Sequence, residues 1–375
     1  MRLAALAIAA LALTGCGLFG SSSGPKPAPL PPLEREQNVR VLWTAQVGGA
    51  DRFVFTPAVA GDAVYSAGRD GTLARLDAAS GAVRWRASAE ARLSAGVGSD
   101  GRIAAVATEE GEVIAFDAAS GALRWRARVS SEVLAAPAVG GGLVLVRSVD
   151  NRIFAFAEED GKRRWVYQRA PASLIVRSPA GMTVLGDTAF AGFSGGKLAA
   201  ISLVNGGVRW EATVASPKGA TELERVTDVV GEPVVQGREV CAAAYQGRVA
   251  CYDLASGRQI WARDVSSLTG VSFDARYALV SDDRDAVHAL DRTNGRSVWK
   301  QDRLTHRRLS RPASAGAAVA VGDLEGYVHF LARDSGAFIA RYSTGGGAVR
   351  AAPVNLPSGG LLVQTQNGTL VALGL

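Results

Sequence analysis

The chain has 375 residues, of which 44 are glycine, and 48% are hydrophobic while only 20% are charged. This composition can form a sizeable hydrophobic core, and it excludes a wholly disordered chain and a long coiled coil. The net charge of +6 is spread along the sequence without a block of Lys or Arg, which argues against a nucleic-acid binder. Three widely separated Cys exclude a disulfide-rich scaffold.

The N-terminus has the pattern of a bacterial lipoprotein signal. Met1-Arg2 is followed by an apolar run at residues 3–13, which is too short to span a membrane and suits a signal-peptide core. The run ends in Leu13-Thr14-Gly15-Cys16, which resembles the lipobox. The resemblance implies acylation of Cys16, and Gly17 in place of an Asp implies sorting to the outer membrane. An ordinary secretory signal that happens to contain a Cys is the alternative.

The next segment is rich in Ser, Gly and Pro, which is typical of a flexible, partly polyproline tether without a core. We therefore expect a signal peptide at 1–15, the acylated Cys and a flexible tether at 16–38, and a folded body at 39–375. After cleavage the anchored protein would face the periplasm, which is an oxidising compartment.

A repeat of about 42 residues fills the folded body. Each Trp after the first follows a Gly by four residues, and a turn and a short strand precede that Gly. The seven Trp are Trp43, Trp85, Trp125, Trp165, Trp210, Trp261 and Trp299. The next unit has Ala340 where Trp is expected, and the last unit, which begins at Asn367, ends before its Trp. Trp43, at the other end of the folded body, supplies the missing strand.

Eight such units with four short strands each predict an all-β fold, an eight-bladed β-propeller of four-stranded blades whose ring is closed by the N-terminal strand. Five units carry a Pro, such as Pro57 or Pro137, in a strand that we place innermost, because Pro is tolerated at sheet edges. The phrase Asp-Ala-Ala-Ser-Gly-Ala-x-Arg-Trp at 77–85 and 117–125 resembles the tryptophan-docking repeat of pyrroloquinoline-quinone (PQQ) dehydrogenases. The Trp rings are therefore expected to be core residues between blades.

The sequence contains no convincing catalytic motif. The Gly pattern at 96–101 falls in an expected hairpin turn with no helix after it, so a nucleotide site is not predicted. His288, His306 and His329 are isolated in the sequence, and His288 and His329 occupy equivalent repeat positions, so we expect strand residues rather than ligands. The carboxylates at 282–285 fall in an expected solvated turn, where a cation site is a weak alternative. The adjacent Cys pair and long insertions of PQQ dehydrogenases are missing. We predict no catalytic, cofactor-binding or metal-binding residue and no cofactor.

Cys241 and Cys251 lie on the two arms of one expected hairpin. If Gly247 takes the left-handed position of a three-residue loop, the two Cys face each other directly. An oxidising compartment then favours a disulfide, and two buried free thiols are the alternative. The pair is structural in either case.

The lipobox, the tether and eight repeats together resemble the BamB lipoproteins of the outer-membrane β-barrel assembly machinery. The most specific stretches are 221–229, 304–307 and 323–329, which resemble non-repeating segments of that family. The resemblance implies a non-catalytic, lipid-anchored outer-membrane scaffold that faces the periplasm. Such a scaffold binds the POTRA domains of BamA and assists folding and insertion of β-barrel proteins, and direct contact with nascent barrels is left open.

The resemblance also implies a partner-binding site. The longest intervals between Trp residues indicate two loop inserts, where function commonly resides. The Leu-x-Leu-Arg contact of the family maps onto Leu174, Val176 and Arg177, and its acidic partner loop maps onto a segment with Arg225 and Asp228. These five residues are the predicted BamA contacts, with inter-blade packing as the alternative. Val230 stands where the family has a second acid, which puts the polar half of the contact in doubt.

Two other functions remain open from the sequence. One is an active or degenerate quinoprotein dehydrogenase, which shares the repeat. The other is a different periplasmic propeller adaptor that binds peptidoglycan or another envelope protein.

Overall fold

The structure is a computed structural model that describes residues 25–34, 37–170 and 174–375. The predicted signal peptide and Cys16 lie outside the described residues. None of the described segments forms a helix of the length and hydropathy that crossing a membrane requires.

Every regular element in the described chain is a β-strand. The strands are β1 Arg40–Gln46, β2 Ala58–Ala60, β3 Ala63–Ala67, β4 Thr72–Asp77, β5 Val83–Ser88, β6 Gly98–Ser99, β7 Ile103–Ala107, β8 Glu112–Asp117, β9 Leu123–Arg128, β10 Ala138–Gly140, β11 Leu143–Ser148, β12 Arg152–Ala157, β13 Arg163–Gln168, β14 Met182–Leu185, β15 Thr188–Phe193, β16 Lys197–Ser202, β17 Val208–Thr213, β18 Val229–Gln236, β19 Glu239–Ala244, β20 Val249–Asp253, β21 Gln259–Arg263, β22 Val271–Phe273, β23 Tyr277–Ser281, β24 Val287–Asp291, β25 Ser297–Gln301, β26 Ala313–Ala315, β27 Ala318–Gly322, β28 Tyr327–Ala332, β29 Phe338–Ser343, β30 Val354–Asn355, β31 Leu361–Gln364 and β32 Thr369–Gly374.

The strands form eight antiparallel, four-stranded sheets. Blades 1 to 7 are consecutive groups of four strands, from β2–β5 to β26–β29. Blade 8 combines β30–β32 with β1, and Trp43 in β1 lies opposite Ala372 in β32. The first strands of neighbouring blades contact one another around the ring, and β30 contacts β2 to complete it. The prediction of an eight-bladed propeller closed by the N-terminal strand is confirmed.

The Pro residues lie at the innermost strands, as predicted. Pro57 and Pro137 directly precede β2 and β10, the first strands of blades 1 and 3, and Pro233 lies inside β18. An innermost strand has a free edge toward the axis, so the missing N–H of Pro breaks no ladder hydrogen bond there.

Each Trp docks on a Gly of the following blade. The Trp85 ring lies over Gly121, where a Cβ would come within 2.8 Å of the indole and where φ is +75°. Trp85 Nε1 donates to the Ala118 carbonyl at 3.1 Å. The corresponding acceptors for all seven Trp are the carbonyls of Ala78, Ala118, Glu158, Leu203, Leu254, Arg292 and Arg333. Gly is required at these positions because any side chain would displace the ring.

Blade 7 has Ala340 in place of the docking Trp. The next blade has no turn between its third and fourth strands, because these strands come from opposite ends of the folded body. Val39, which leads into β1, packs instead into the apolar cluster that contains Ala340. The missing Trp is thus a consequence of ring closure.

The two faces of the ring differ in their loops. One face carries the connectors between blades and the turns between the second and third strands of each blade, and we call it the connector face. Backbone hydrogen bonds such as Arg69 N to Gly49 O, at 2.7 Å, join these two kinds of loop. The opposite face carries the turns between the third and fourth strands of blades 1 to 7, which contain the Gly residues that receive the Trp rings. We call it the turn face.

Cys241 in β19 and Cys251 in β20 lie opposite each other in the register and are joined by a disulfide. Both side chains are fully buried. The residue of this turn with a positive φ is Gln246, at 46°, and not Gly247 as we expected from the sequence. Cys241 and Cys251 nevertheless pair in the register that the sequence predicted.

Candidate partner-binding site

Two long connectors meet on the connector face. The first insert, 169–181, joins β13 to β14, and the second insert, 214–228, joins β17 to β18. Residues 171–173 of the first insert lie outside the described residues. Ser194, in the turn of blade 4 that lies between the inserts, forms an isolated β-bridge with Asp228. The fold therefore brings together the predicted site residues, which are distant in sequence.

The first insert exposes apolar side chains. Leu174 is 47% exposed and Ile175 is 40% exposed, whereas Val176 is half-buried. The sequence predicted Leu174 and Val176 as the apolar contacts, but the structure places Ile175 on the surface beside Leu174. The reason is that the backbone at Val176 is drawn inward by Asp228.

Asp228 holds the backbone of the first insert from a buried position. It is only 6% exposed, and its carboxylate accepts hydrogen bonds from Val176 N at 2.5 Å and Gly195 N at 3.3 Å. Burial raises the pKa of Asp228, and these two hydrogen bonds and the charge of Arg147 oppose the shift. Asp228 was predicted as a direct partner contact, but its burial leaves little of it for a partner to touch.

Arg147 is a supporting residue that the sequence analysis missed. Its guanidinium lies over the Phe193 ring, 5.2 Å from the centroid, and burial lowers its pKa to about 10. The nearby charge of Asp228 acts in the opposite direction and favours the charged Arg147. The only sequence signal was an Arg directly after the four apolar residues that begin strand β11.

The second insert contains a capped turn. Glu224 accepts from the backbone N–H groups of Ala220 and Thr221, at 2.8 and 3.0 Å, while Thr221 Oγ1 accepts from Glu224 N at 3.2 Å. This reciprocal pattern is a capping box, which makes a short turn rigid. The turn presents Leu223, at 70% exposure, and the exposed side chain of Arg225.

Val230 does not bear on the surface of the site. It lies in β18 opposite Ala243 and is 1% exposed. An acid at this position would be buried in the blade. The exposed part of the site in this chain therefore loses no charge by having Val230 in place of the second acid of the family.

Arg177 is exposed but already paired. Its side chain is 59% exposed and forms an ion pair with Glu132, on the connector between blades 2 and 3. An ion pair with one exposed partner contributes little to stability. Arg177 can therefore exchange Glu132 for an acidic group of a partner at small cost.

The axial channel beside the site is lined by both apolar and charged side chains. Its cavity of about 610 Å³ is lined by charged residues of several blades, including Arg177. Asp282 is 2.8 Å from His288 Nε2, Asp283 accepts from Ser266 Oγ at 2.7 Å, and Asp285 accepts from Leu309 N at 2.8 Å.

His288 lies in strand β24, as expected of a strand residue, and its contact with Asp282 was not predicted. The three channel carboxylates have partners within the protein, and no group of three His, Cys, Asp or Glu in the described chain is arranged to hold a metal ion.

The family-specific stretches 304–307 and 323–329 meet in blade 7. Asp323 Oδ2 lies 2.7 Å from Arg307 Nε and 2.8 Å from His329 Nε2, and all three side chains are at most 2% exposed. Burial lowers the pKa of His329, although Asp323 opposes the shift. His329, like His288, is therefore not isolated, and this cluster serves packing rather than the partner site.

Comparison with known proteins agrees with these observations. The family model described as "Outer membrane protein assembly factor BamB" matches residues 36–90 and 69–301. The "Outer membrane protein assembly factor BamB" of Bordetella pertussis is 49% identical over 363 residues, covering 96% of this chain and 94% of the relative.

Solved structures give the same result. The crystal structure of BamB from Moraxella catarrhalis has a TM-score of 0.83 at 26% identity, and the match covers 90% of this chain and 100% of that one. A quinohemoprotein alcohol dehydrogenase from Pseudomonas putida has a TM-score of 0.69 at 14% identity, covering 90% of this chain and 76% of that one, which shows the shared propeller fold alone.

Proposed function

Because the chain belongs to the BamB family of outer membrane protein assembly factors, we propose that it is a scaffold of the outer-membrane β-barrel assembly machinery. In this proposal it binds the periplasmic POTRA domains of BamA through the two inserts and assists insertion of β-barrel proteins. It is held at the outer membrane by acylated Cys16 and acts without catalysis. Residues 1–15, 16–38 and 39–375 are then the signal peptide, the anchored N-terminal segment and the propeller.

The observation that carries the proposal is the exposed apolar surface shared by the two inserts. Leu174, Ile175 and Leu223 are exposed on connectors whose backbone is held at Val176 by Asp228 and at residues 220–224 by the capping box. Apolar side chains with Arg177 and Arg225 beside them fit the core of a protein interface, which is more apolar than the rest of the surface and enriched in Arg. The Arg residues favour a partner with acidic groups around an apolar patch.

Two experiments separate this function from its rivals. Recovery of BamA with the affinity-purified protein from solubilised membranes is expected, whereas an adaptor for another envelope component would recover that component instead. Addition of pyrroloquinoline quinone and Ca²⁺ is expected to produce no alcohol oxidation. Measurable turnover would favour the quinoprotein reading.

The lipid anchor makes a separate prediction. Cys16→Ser is expected to leave an unacylated precursor, because the hydroxyl of serine cannot form the thioether to the lipid. Radiolabelled palmitate incorporation and membrane fractionation measure this directly. An acylated variant that still fractionates with the outer membrane would refute the lipobox assignment.

The second prediction concerns Asp228, because it positions the first insert. Asp228→Ala leaves the half-buried Val176 N–H without its acceptor and Arg147 without its nearby charge, and a lost hydrogen bond to a charged group costs about 1.5 to 3 kcal/mol. We expect at least tenfold weaker binding to POTRA domains and faster amide exchange at Val176 and Gly195. Asp228→Asn, which keeps one acceptor oxygen, should lie between wild type and Asp228→Ala. Unchanged exchange in Asp228→Ala would mean that the carboxylate does not hold the loop.

A further inference from the structure

The Pro-rich segment before the propeller is docked rather than free. We call residues 25–34 and 37–39 the strap. Its backbone N–H groups at Ala28, Glu34 and Gln37 donate to the carbonyls of Thr305, Phe338 and Ile339, at 2.9, 2.9 and 2.8 Å. The expectation of a flexible tether over 16–38 is therefore wrong for this part of it.

Two Arg side chains hold the strap by its carbonyl groups. Arg307 Nη1 donates to Ala28 O at 2.7 Å, and Arg341 Nη2 donates to Pro31 O at 2.6 Å. The buried residues Asp323 and His329 of blade 7 orient both guanidinium groups. Arg307 Nε contacts Asp323, and Arg341 Nε donates to His329 Nδ1 at 3.2 Å. Hydrogen bonds from a charged donor are roughly twice as strong as neutral ones.

Apolar packing and an ion pair fix the rest of the strap. Leu33 packs against the apolar cluster of blades 6 and 7 that includes Trp299 and Phe338. Pro31 is buried, and Glu34 pairs with Arg303 at 2.9 Å. The strap thus occupies the groove between the outermost strands β25 and β29, and it runs from the turn face at Gln37 to the connector face at Ala28.

Docking shortens the link between Cys16 and the propeller to residues 16–24. At no more than about 3.3 to 3.6 Å per extended residue, about nine residues reach at most about 30 Å, whereas about 24 residues, with the strap undocked, reach about 80 Å. The radius of gyration expected for a body of about 337 residues is about 20 Å, so the body is at least about 40 Å across. The docked link cannot reach across the propeller and the undocked one can, so docking decides whether the propeller can turn freely on its anchor.

We infer that the strap holds one edge of the connector face, the loop 302–308 between blades 6 and 7, against the phospholipid headgroups of the membrane that carries the anchor. The exposed side chains of this loop that do not line the axial channel, Asp302, Arg303 and His306, are hydrophilic and suit a headgroup surface. The first insert lies three blade boundaries away around the ring and the second insert lies two away. The same orientation therefore holds them off the membrane, where a periplasmic partner is accessible.

This inference rests on the proposed lipid anchor, and the experiment separates the two. The acylated full-length protein is reconstituted into vesicles of phosphatidylethanolamine and phosphatidylglycerol that contain a headgroup-attached quencher. Because Cys241 and Cys251 are bonded and Cys16 is acylated, a fluorophore attaches only to an introduced thiol. Asp302→Cys reports on the loop 302–308, and Lys218→Cys reports on the second insert.

We expect quenching at least threefold stronger from Asp302→Cys than from Lys218→Cys. Insertion of about fifteen Gly and Ser residues between Gly24 and Pro25 lengthens the link to about the undocked span and should bring this ratio close to one. The same insertion after Val204, an exposed residue on the turn face, is the control and should leave the ratio unchanged.

The outcomes are distinct. Equal quenching at the two positions, or a ratio that the insertion at Gly24 does not change, overturns the orienting role of the strap while the anchor stands. Protein that fails to float with the vesicles refutes the lipid anchor and this inference together. Binding of soluble POTRA domains by the inserts is independent of both outcomes.

Discussion

Leu174→Glu combined with Ile175→Glu is expected to weaken binding to soluble POTRA domains at least a hundredfold. The two side chains are the exposed apolar part of the first insert, at 47% and 40% exposure. Truncation of a central interface residue costs about 2 kcal/mol or more, and a hundredfold change corresponds to about 2.7 kcal/mol. The introduced carboxylates also repel the acidic groups that Arg177 would pair with. Calorimetric titration of the purified propeller measures the change.

The fold should not respond to this double variant, because neither side chain belongs to a buried cluster. Far-UV circular dichroism and the melting temperature are therefore expected to match wild type. Val204→Glu is the matched control, since Val204 is 79% exposed on the opposite face of the ring, and it should bind as wild type does. Wild-type affinity in the double variant, with the fold intact, would move the binding surface elsewhere on the ring.

Trp125→Ala is expected to destabilise the propeller by about 3 to 5 kcal/mol, the usual cost of emptying a large aromatic site. Trp125 is 7% exposed, packs on Gly161 of the next blade and donates from Nε1 to the Glu158 carbonyl at 2.9 Å. With an unfolding entropy of about 2.1 cal/mol/K per residue, this loss lowers the melting temperature by roughly 4 to 7 °C. Differential scanning calorimetry is the measurement.

Gly161→Ala tests the same contact from the other side. A Cβ at Gly161 would lie 2.6 Å from the Trp125 ring, at a φ of +69°, so the added methyl group must displace the ring. Gly142→Ala is the control, because Gly142 also has a positive φ, of +76°, but has no atom within 4 Å of its Cβ position. Gly161→Ala should therefore destabilise more than Gly142→Ala, and equal effects would mean that backbone strain rather than Trp docking accounts for the loss.

The blade architecture could be predicted because it depends on short-range patterns. The Gly with positive φ, the Trp four residues later and the alternating strand lie within one unit, and each unit must bury its Trp on the next. The closure of the ring also followed from the sequence, because the unpaired strand of Trp43 and the incomplete last unit complement each other. The sequence also showed that Ala340 replaces the docking Trp of blade 7. The structure alone showed that Val39 packs against the cluster at this position.

The partner site could be predicted only in part. The two inserts and Leu174, Arg177 and Arg225 were identified as site residues, and the structure exposes all three on these inserts. The orientation of adjacent residues in an irregular loop was not predictable, because it depends on which backbone N–H finds a buried acceptor. Asp228 supplies that acceptor from 52 residues away, so that Asp228 is buried and Ile175 takes the surface position expected of Val176.

The sequence by itself determined the repeat, the number of blades, the closing strand and the family, because each of these is recorded in residue types at regular spacing. Tertiary structure alone decided which polar groups are buried together. Arg147 lies near the charge of Asp228, and Arg307 contacts Asp323, although the members of each pair come from separate blades or loops, and no local pattern marks such pairs. The strap was misjudged for the same reason. Pro-rich composition disfavours a core of its own, but it does not prevent docking in a groove where Arg307 and Arg341 bind its free carbonyl groups.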